Sequence, residues 1–192
     1  MVPKIFNVKI TKRYNPKKKR KFKITFTGDG IENKVEPSEL KKVVDVIVSR
    51  IPLSIRKNSN YIVARDRPGI ILAVALSLKL QKPLKVAYKY NLDLPVKISL
   101  FDPYIPDEPA YLYNIETPNS IMFIDDEILT GETASAAIKS LKNQNIVVKA
   151  FISYIECANF NARKKLKKLG TDLISYHTYE LSGEEIEKIV KQ

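Results

Sequence analysis

The segment from Ile121 to Leu141, IMFIDDEILTGETASAAIKSL, constrains the fold more than any other part of the chain. It opens on four apolar residues, Ile121-Met122-Phe123-Ile124, and meets two adjacent acids, Asp125 and Asp126. An apolar run that short and that β-branched predicts a buried strand, ending where the acids begin. Thr130-Gly131-Glu132-Thr133 follows, and then Ala134-Ser135-Ala136-Ala137-Ile138, rich in good helix formers. The order is strand, acidic edge, hydroxyl-and-glycine loop, helix.

Each part has a chemical use. A Thr/Gly loop at a helix start converges backbone N–H groups on an anion, and the helix dipole adds partial positive charge there. Thr130 and Thr133 add hydroxyl donors, and Gly131 lets the backbone come close or take a positive φ. These features suit a terminal phosphate. Asp125 and Asp126 would repel one; acceptor-only groups beside it suit sugar hydroxyls, or a hydrated magnesium ion bridging to further phosphates. The plainer reading of the same residues is a helix capped by Thr130 or Thr133 after a strand, with two solvated aspartates.

With 192 residues, 44% hydrophobic and 28% charged, the chain has the composition and length of one ordinary globular α/β domain over 1–192. No apolar run approaches the roughly twenty residues of a membrane span, and no signal peptide opens the sequence. Cys157 is the lone cysteine, which excludes a disulfide framework and makes the cytoplasm the default compartment. His177 is the lone histidine, so neither a histidine-based zinc site nor a Ser-His-Asp triad can be built, and any metal must be a hard ion on oxygen. The formal charge of +12 gathers at Lys12-Arg13, at Lys17 to Lys21, and at Arg163 to Lys165 with Lys167-Lys168. Solvated surface is the first reading of this excess and steering of an anionic ligand the second; nucleic-acid recognition is the weakest.

The rest of the chain supplies the sheet. Ile5–Ile10 and Phe22–Phe26 read as two strands joined by the basic Asn15-Pro16-Lys17 stretch, a small N-terminal unit over about residues 1–30. Pro37 predicts a helix start, and Leu40, Val43, Val44, Ile47 and Val48 give it one apolar face as far as Arg50. Strand Tyr61–Ala64, a turn at Arg65-Asp66-Arg67-Pro68-Gly69, helix Ile70–Leu80 and strand Leu84–Tyr88 form a βαβ unit. Residues 96–119 read as a long, proline-stiffened loop containing short strands at Lys97–Phe101 and Tyr111–Tyr113. Strand Ile146–Tyr154, helix Asn161–Leu169, strand Leu173–Tyr176 and a helix Gly183–Val190 capped by Ser182 complete the reading. Alternating strands and helices predict a doubly wound, mostly parallel sheet.

At Ile121 to Thr133 the chain resembles the type I phosphoribosyltransferases, whose signature is an apolar strand, two acids, three variable residues and T-G-x-T. The resemblance continues in Glu36-Pro37-Ser38-Glu39-Leu40, in Asp66-x-x-Gly69-Ile70, in Tyr88-Lys89 followed by Leu94-Pro95, and in the C-terminal third, so it covers most of the chain. It is strongest to the small archaeal purine enzymes that act on adenine or hypoxanthine. The sequence departs from the pattern at Pro68, Tyr88 and Tyr90, where basic residues are usual, and at Leu129, where the mammalian-type 6-oxopurine enzymes often carry an aspartate.

The resemblance implies transfer of a phosphoribosyl group from phosphoribosyl pyrophosphate (PRPP) to a purine, adenine before hypoxanthine and guanine, with Mg²⁺ as cofactor. Asp125 and Asp126 would be catalytic, and Glu127, Leu129, Thr130, Gly131, Glu132 and Thr133 would form the 5′-phosphate loop. Arg65, Asp66, Arg67 and Lys89 would serve the pyrophosphate, and Phe26, in a hood formed by the N-terminal unit, would wall the base pocket. In the long loop, Asp107 or Glu108 is a candidate for proton exchange with the base. The resemblance also implies a homodimer that lends a basic residue across the interface near the loop after Lys89. The apolar runs predict no membrane partner, and the charge makes a nucleic-acid partner the least favoured reading. The thinned pyrophosphate contacts leave an alternative, a non-catalytic regulator that binds PRPP or a nucleotide.

Overall fold

Apolar residues occupy consecutive positions in the central strands, so both faces of the sheet must be covered by other layers. The computed structural model, which describes residues 8–12, 22–26, 28–31, 34–67, 69–104, 106, 108–182 and 185–190, has this arrangement. A hairpin of β1 (Val8–Lys12) and β2 (Phe22–Phe26) precedes α1 (Pro37–Arg50) and a short α2 (Leu53–Asn58). β3 (Tyr61–Arg65), α3 (Gly69–Leu80) and β4 (Leu84–Ala87) form the first βαβ unit. An antiparallel hairpin, β5 (Lys97–Leu100) and β6 (Ala110–Tyr113), interrupts the alternation. It resumes with β7 (Asn119–Ile128), α4 (Glu132–Lys142), β8 (Ile146–Cys157), α5 (Ala162–Lys168) and β9 (Asp172–Ser182), and ends in β10 (Glu185–Val190).

The main sheet has the order β10-β9-β8-β7-β3-β4, parallel throughout except for β10, which runs antiparallel to β9. The chain winds outward from β3 to β4, then returns to lay β7 on the other side of β3 and continues through β8 to β9. Winding therefore reverses between β3 and β7. Connections leaving the carboxyl ends of those two strands diverge to opposite faces and open a crevice there.

Side-chain alternation divides the core into two layers. Ile62, Ala64, Met122 and Ile124 pack with Val43, Val44 and Ile47 of α1 and Leu72, Ala73 and Leu76 of α3. Val63, Ile121 and Phe123 face the other way, against Ala137, Ile138 and Leu141 of α4 and against Ile98, Leu100 and Leu112 of the β5–β6 hairpin. The helix expected from Pro37 to Arg50 is observed with those bounds, because its proline sits at the start and its apolar stripe has a core to face. The two short strands expected in the long loop are present as β5 and β6, joined to β4 by a bridge between Tyr88 and Tyr111.

Two expectations need correction. The strand expected to end at Ile124 continues to Ile128, so Asp125 and Asp126 lie within β7. The reason is asymmetric pairing. β3 stops pairing at Ile124, whereas β8 continues with Asp125↔Ser153, Glu127↔Ile155 and Ile128↔Glu156. The acids thus project past β3 while still hydrogen-bonded on one side. The helix expected at Gly183–Val190 is instead β10, pairing with the end of β9. Its apolar spacing mimics a helix because a bulge between Ile186 and Lys188 shifts the register, breaking the strict alternation of a strand. The short α2 was not anticipated; at six residues it shows no period. The basic run Lys17 to Lys21, Pro68 and Asp107 lie outside the described residues. Among the described residues no helix is long and apolar enough to cross a membrane.

Gly69 lets α3 start directly on β7. A Cβ at this position would stand 2.9 Å from Asp125 Cα and 3.2 Å from the Ile124 carbonyl oxygen. Both obstacles are backbone, so no side chain can rotate away. Gly69→Ala is expected to destabilise the fold by about 1–3 kcal/mol, read as a lower urea midpoint at unchanged slope. An unchanged midpoint would show that the two backbones do not approach this closely.

Candidate active site

Where winding reverses, the carboxyl ends of β3 and β7 place Arg65, Asp125 and Asp126 together. The Asp126 N–H donates to Asp125 Oδ1 at 2.9 Å, folding the first carboxylate back onto the strand, and Asp126 is itself buried. Asp125 is pushed well above the ordinary carboxylate range, chiefly by removal from water and then by the negative charge of Asp126. The Arg65 guanidinium acts in the opposite direction. Arg65 is only 8% exposed, and Asp102, two residues past β5 and only 6% exposed, accepts from its Nη2 at 2.6 Å.

The loop after β7 forms the second half of the site. Gly131 is the N-cap residue of α4 with φ 72°, ψ 7°, a left-handed conformation that a side chain at this position would strain. Its close packing on α5 adds a steric reason for glycine, since a Cβ would lie 3.2 Å from Ala162 Cβ. Neither threonine caps the helix: Thr130 Oγ1 accepts from the Glu132 N–H at 3.3 Å, and Gly131 contributes its carbonyl to Ser135 N–H at 2.8 Å. Lys165 of α5 holds the loop from behind, donating to the Thr130 carbonyl at 2.8 Å and pairing with Glu132 at 2.5 Å. The first turn of α4, whose N–H groups an α-helix leaves without intrahelical partners, opens toward the same edge.

Other sequence-derived candidates are spread more widely. Asp66 follows Arg65 in the turn after β3, its N–H bonded to the Ala87 carbonyl at 3.0 Å, and Arg67 is exposed. Lys89 lies beyond β4, with Nζ 3.0 Å from Glu108. Glu127 accepts from the Tyr179 hydroxyl of β9 at 2.9 Å, and Leu129 packs against the α1–α3 core layer. Phe26 is buried, its ring centroid 4.8 Å from that of Tyr154. Sequence reasoning missed Asp102 and Lys165. The only signal for Asp102 was that a basic residue at the end of a buried strand needs a counter-charge, and its acid lies 37 positions away.

The basic residues of α5 have a structural task. With Arg50 they line a groove of about 480 Å³ along β9, two strands from β7. β10 pairs with β9 only from Thr178 onward. Ahead of that point Arg163 donates to the Leu173 carbonyl at 2.7 Å, and Arg50 to those of Ser175 and Tyr176 at 2.6 and 3.0 Å. Two guanidinium groups thereby satisfy an open sheet edge.

No family model matches the chain. It is 30% identical over 164 residues to a hypoxanthine/guanine phosphoribosyltransferase of Ferroglobus placidus, covering 84% of this chain and 83% of that one. It is 32% identical over 135 residues to another of Methanothermus fervidus, covering 69% and 68%. Among solved structures, the fold is similar to adenine phosphoribosyltransferase from Rhodothermus marinus, with TM-score 0.66 at 18% identity over 91% of this chain and 94% of that one. An orotate phosphoribosyltransferase from Aeropyrum pernix gives TM-score 0.56 at 17% identity, covering 74% and 72%. The switch-point acids, the T-G-x-T loop, the relatives and the shared fold converge: the chain belongs to the type I phosphoribosyltransferase family. It is accordingly an enzyme, a glycosyltransferase, and the regulator reading is left without support.

The acid pair has a measurable cost. A carboxyl whose folded pKa is raised binds its proton more tightly folded than unfolded, so the penalty grows from the ordinary carboxylate range upward and is complete above the folded pKa. Asp125→Asn, which keeps the acceptor for the Asp126 N–H, is therefore expected to raise the melting temperature at neutral pH. That advantage should shrink as pH falls toward about 4. A variant equally or less stable at neutral pH would refute this electrostatic account.

Proposed function

We propose that the enzyme transfers the phosphoribosyl group of PRPP to N9 of a purine and releases pyrophosphate. The observation that carries this reading is the placement of two acceptor-only carboxylates and a hydroxyl-lined helix N-terminus on one edge, where winding reverses. Thr130, Gly131 and Thr133, with the first turn of α4, receive the 5′-phosphate; Lys165 fixes that loop from behind. Asp125 and Asp126 accept from the ribose hydroxyls. Their negative charge, costly in the free protein, becomes favourable as positive charge develops on an oxocarbenium-like sugar. Arg65 and Arg67, at the end of β3 and in the turn beyond it, serve the pyrophosphate, together with Lys89.

Among the described residues no group of three or more acidic, histidine or cysteine side chains is arranged to hold a metal ion. A Mg²⁺ would therefore come in with the pyrophosphate and not on a protein cage, beside the oxygen acceptors of Asp125 and Asp126. When bound it supplies neutralisation of the leaving group's charge.

We rank hypoxanthine and guanine ahead of adenine as acceptors, where the resemblance put adenine first. The relatives at about 30% identity carry hypoxanthine/guanine names, whereas the likeness to adenine enzymes, at 16–19% identity, is one of fold. We further propose a homodimer, because Tyr90, Leu92, Leu94, Val96 and Phe101 form an exposed apolar run after β4, and Tyr90 is 67% exposed. A sequence with one cysteine suits a cytoplasmic setting.

Labelled PRPP and Mg²⁺ with a panel of five nucleobases tests the reaction. Turnover is expected with hypoxanthine or guanine, and the double variant Asp125→Asn/Asp126→Asn should lower kcat by about 100-fold or more. Turnover with no purine, or a double variant as active as the parent, overturns the assignment. Light scattering should give twice the 21.9 kDa of one chain; a clean single-chain mass removes the dimer.

A further inference from the structure

Asp102 and Tyr104, just after β5, sit on the donors of both anion subsites. Asp102 Oδ2 accepts from Arg65 Nη2 at 2.6 Å, and Asp102 Oδ1 accepts from Thr133 Oγ1 at 3.2 Å. Two residues on, the Tyr104 hydroxyl lies 2.8 Å from Thr130 Oγ1. The Tyr104 N–H donates to Asp102 Oδ1 at 3.0 Å, tying the two contacts into one unit. One short stretch of chain thus engages both hydroxyls of the T-G-x-T loop and the guanidinium at the end of β3.

We propose that Asp102 is the resident occupant of the anion site: its carboxylate takes donors that the substrate's phosphates need, and substrate binds by exchange with it. This rests on the reading of the site as a phosphoribosyl site. The chemistry of the donors requires exchange. A threonine hydroxyl has one proton to give, so Thr133 serves Asp102 or a phosphate, but not both. A carboxylate resembles a phosphate in being acceptor-only and anionic, which makes it the natural filler for a guanidinium and a hydroxyl in a buried place. A phosphate seated at Thr133 with Asp102 still in position would set two anions side by side away from water, where their repulsion is poorly screened. Departure of Asp102 frees Arg65, and a free buried guanidinium demands a new anion, which the pyrophosphate of PRPP supplies. Asp102 is therefore a determinant of substrate affinity: it keeps Arg65 neutralised between turnovers, at the expense of affinity for every phosphate ligand.

The opposing reading is that Asp102 positions Arg65 and Thr133 for substrate. The two readings predict opposite signs. Calorimetric titration of the full-length wild type, Asp102→Asn and Tyr104→Phe with PRPP plus Mg²⁺, and separately with ribose 5-phosphate, distinguishes them. Under exchange, Asp102→Asn should bind both ligands more tightly, by about tenfold or more, while its unfolding midpoint drops because Arg65 loses its partner. Tyr104→Phe, which removes only the hydroxyl over Thr130, should bind both by about threefold more tightly. Unchanged or weaker binding in the variants, with the wild type binding PRPP, overturns the proposal and leaves the site reading intact. If Asp102→Asn does not fold, the sign for Tyr104→Phe decides. Failure of the wild type and variants alike to bind either ligand overturns the site reading, and the proposal with it.

Discussion

The pairing of β3 with β7 is the contact on which the rest depends. Four registered pairs, Tyr61↔Ile121 to Ala64↔Ile124, join the first βαβ unit to the second half of the chain. Strands this apolar have no stable alternative to burial between helical layers, so the pairing is fixed by the hydrophobic effect more than by its hydrogen bonds. Because winding reverses at that junction, the two charged segments, the end of β3 and the acidic end of β7, emerge side by side. The site is a consequence of topology before it is a consequence of any side chain.

Charge at this edge is arranged at a cost. Two carboxylates are adjacent in one strand, one of them held above its ordinary pKa by burial and by its neighbour, and a guanidinium is buried against a third carboxylate. A fold optimised for stability alone would replace such groups with apolar side chains of similar volume. Their presence at the switch point, with a glycine forced against the backbone at Asp125, fits a site in which charge is kept in place for a reacting ligand. The acids escape complete enclosure only because β3 ends its pairing before they begin.

The T-G-x-T loop depends on a different layer. Gly131 rests on α5, and Lys165 of that helix holds the loop's carbonyl and its glutamate, so the conformation of T-G-x-T is set by a helix some thirty residues later in the chain. On the opposite side the segment after β5 engages the threonine hydroxyls. One partner, α5, is part of the packed core and rigid by that fact; the other lies on a connection between two short strands. Any rearrangement on ligand binding has its lower-cost route on the second side.

Features that depend on near neighbours in sequence were legible. Helix α1 was readable in its full extent, since its proline start and its apolar spacing act within the helix. The βα unit at Ile121 to Leu141, the acids at its edge and the glycine in its loop were readable for the same reason, and the alternation of strands and helices gave the doubly wound sheet. Features that depend on a distant partner were not. The extension of β7 through Asp126 exists because β8 continues to pair with it, and β10 is a strand because the end of β9 offers a free edge. The bond between the Glu127 side chain and Tyr179 across the sheet is likewise a choice made by the register of three strands. Arg65 was recognisable as a charge at the site, whereas its pairing with Asp102 arose only when the β5–β6 hairpin folded back beside β4. Local chemistry wrote the motif; long-range pairing selected which donors and acceptors meet, because burial leaves a charged group no partner except those the fold brings to it.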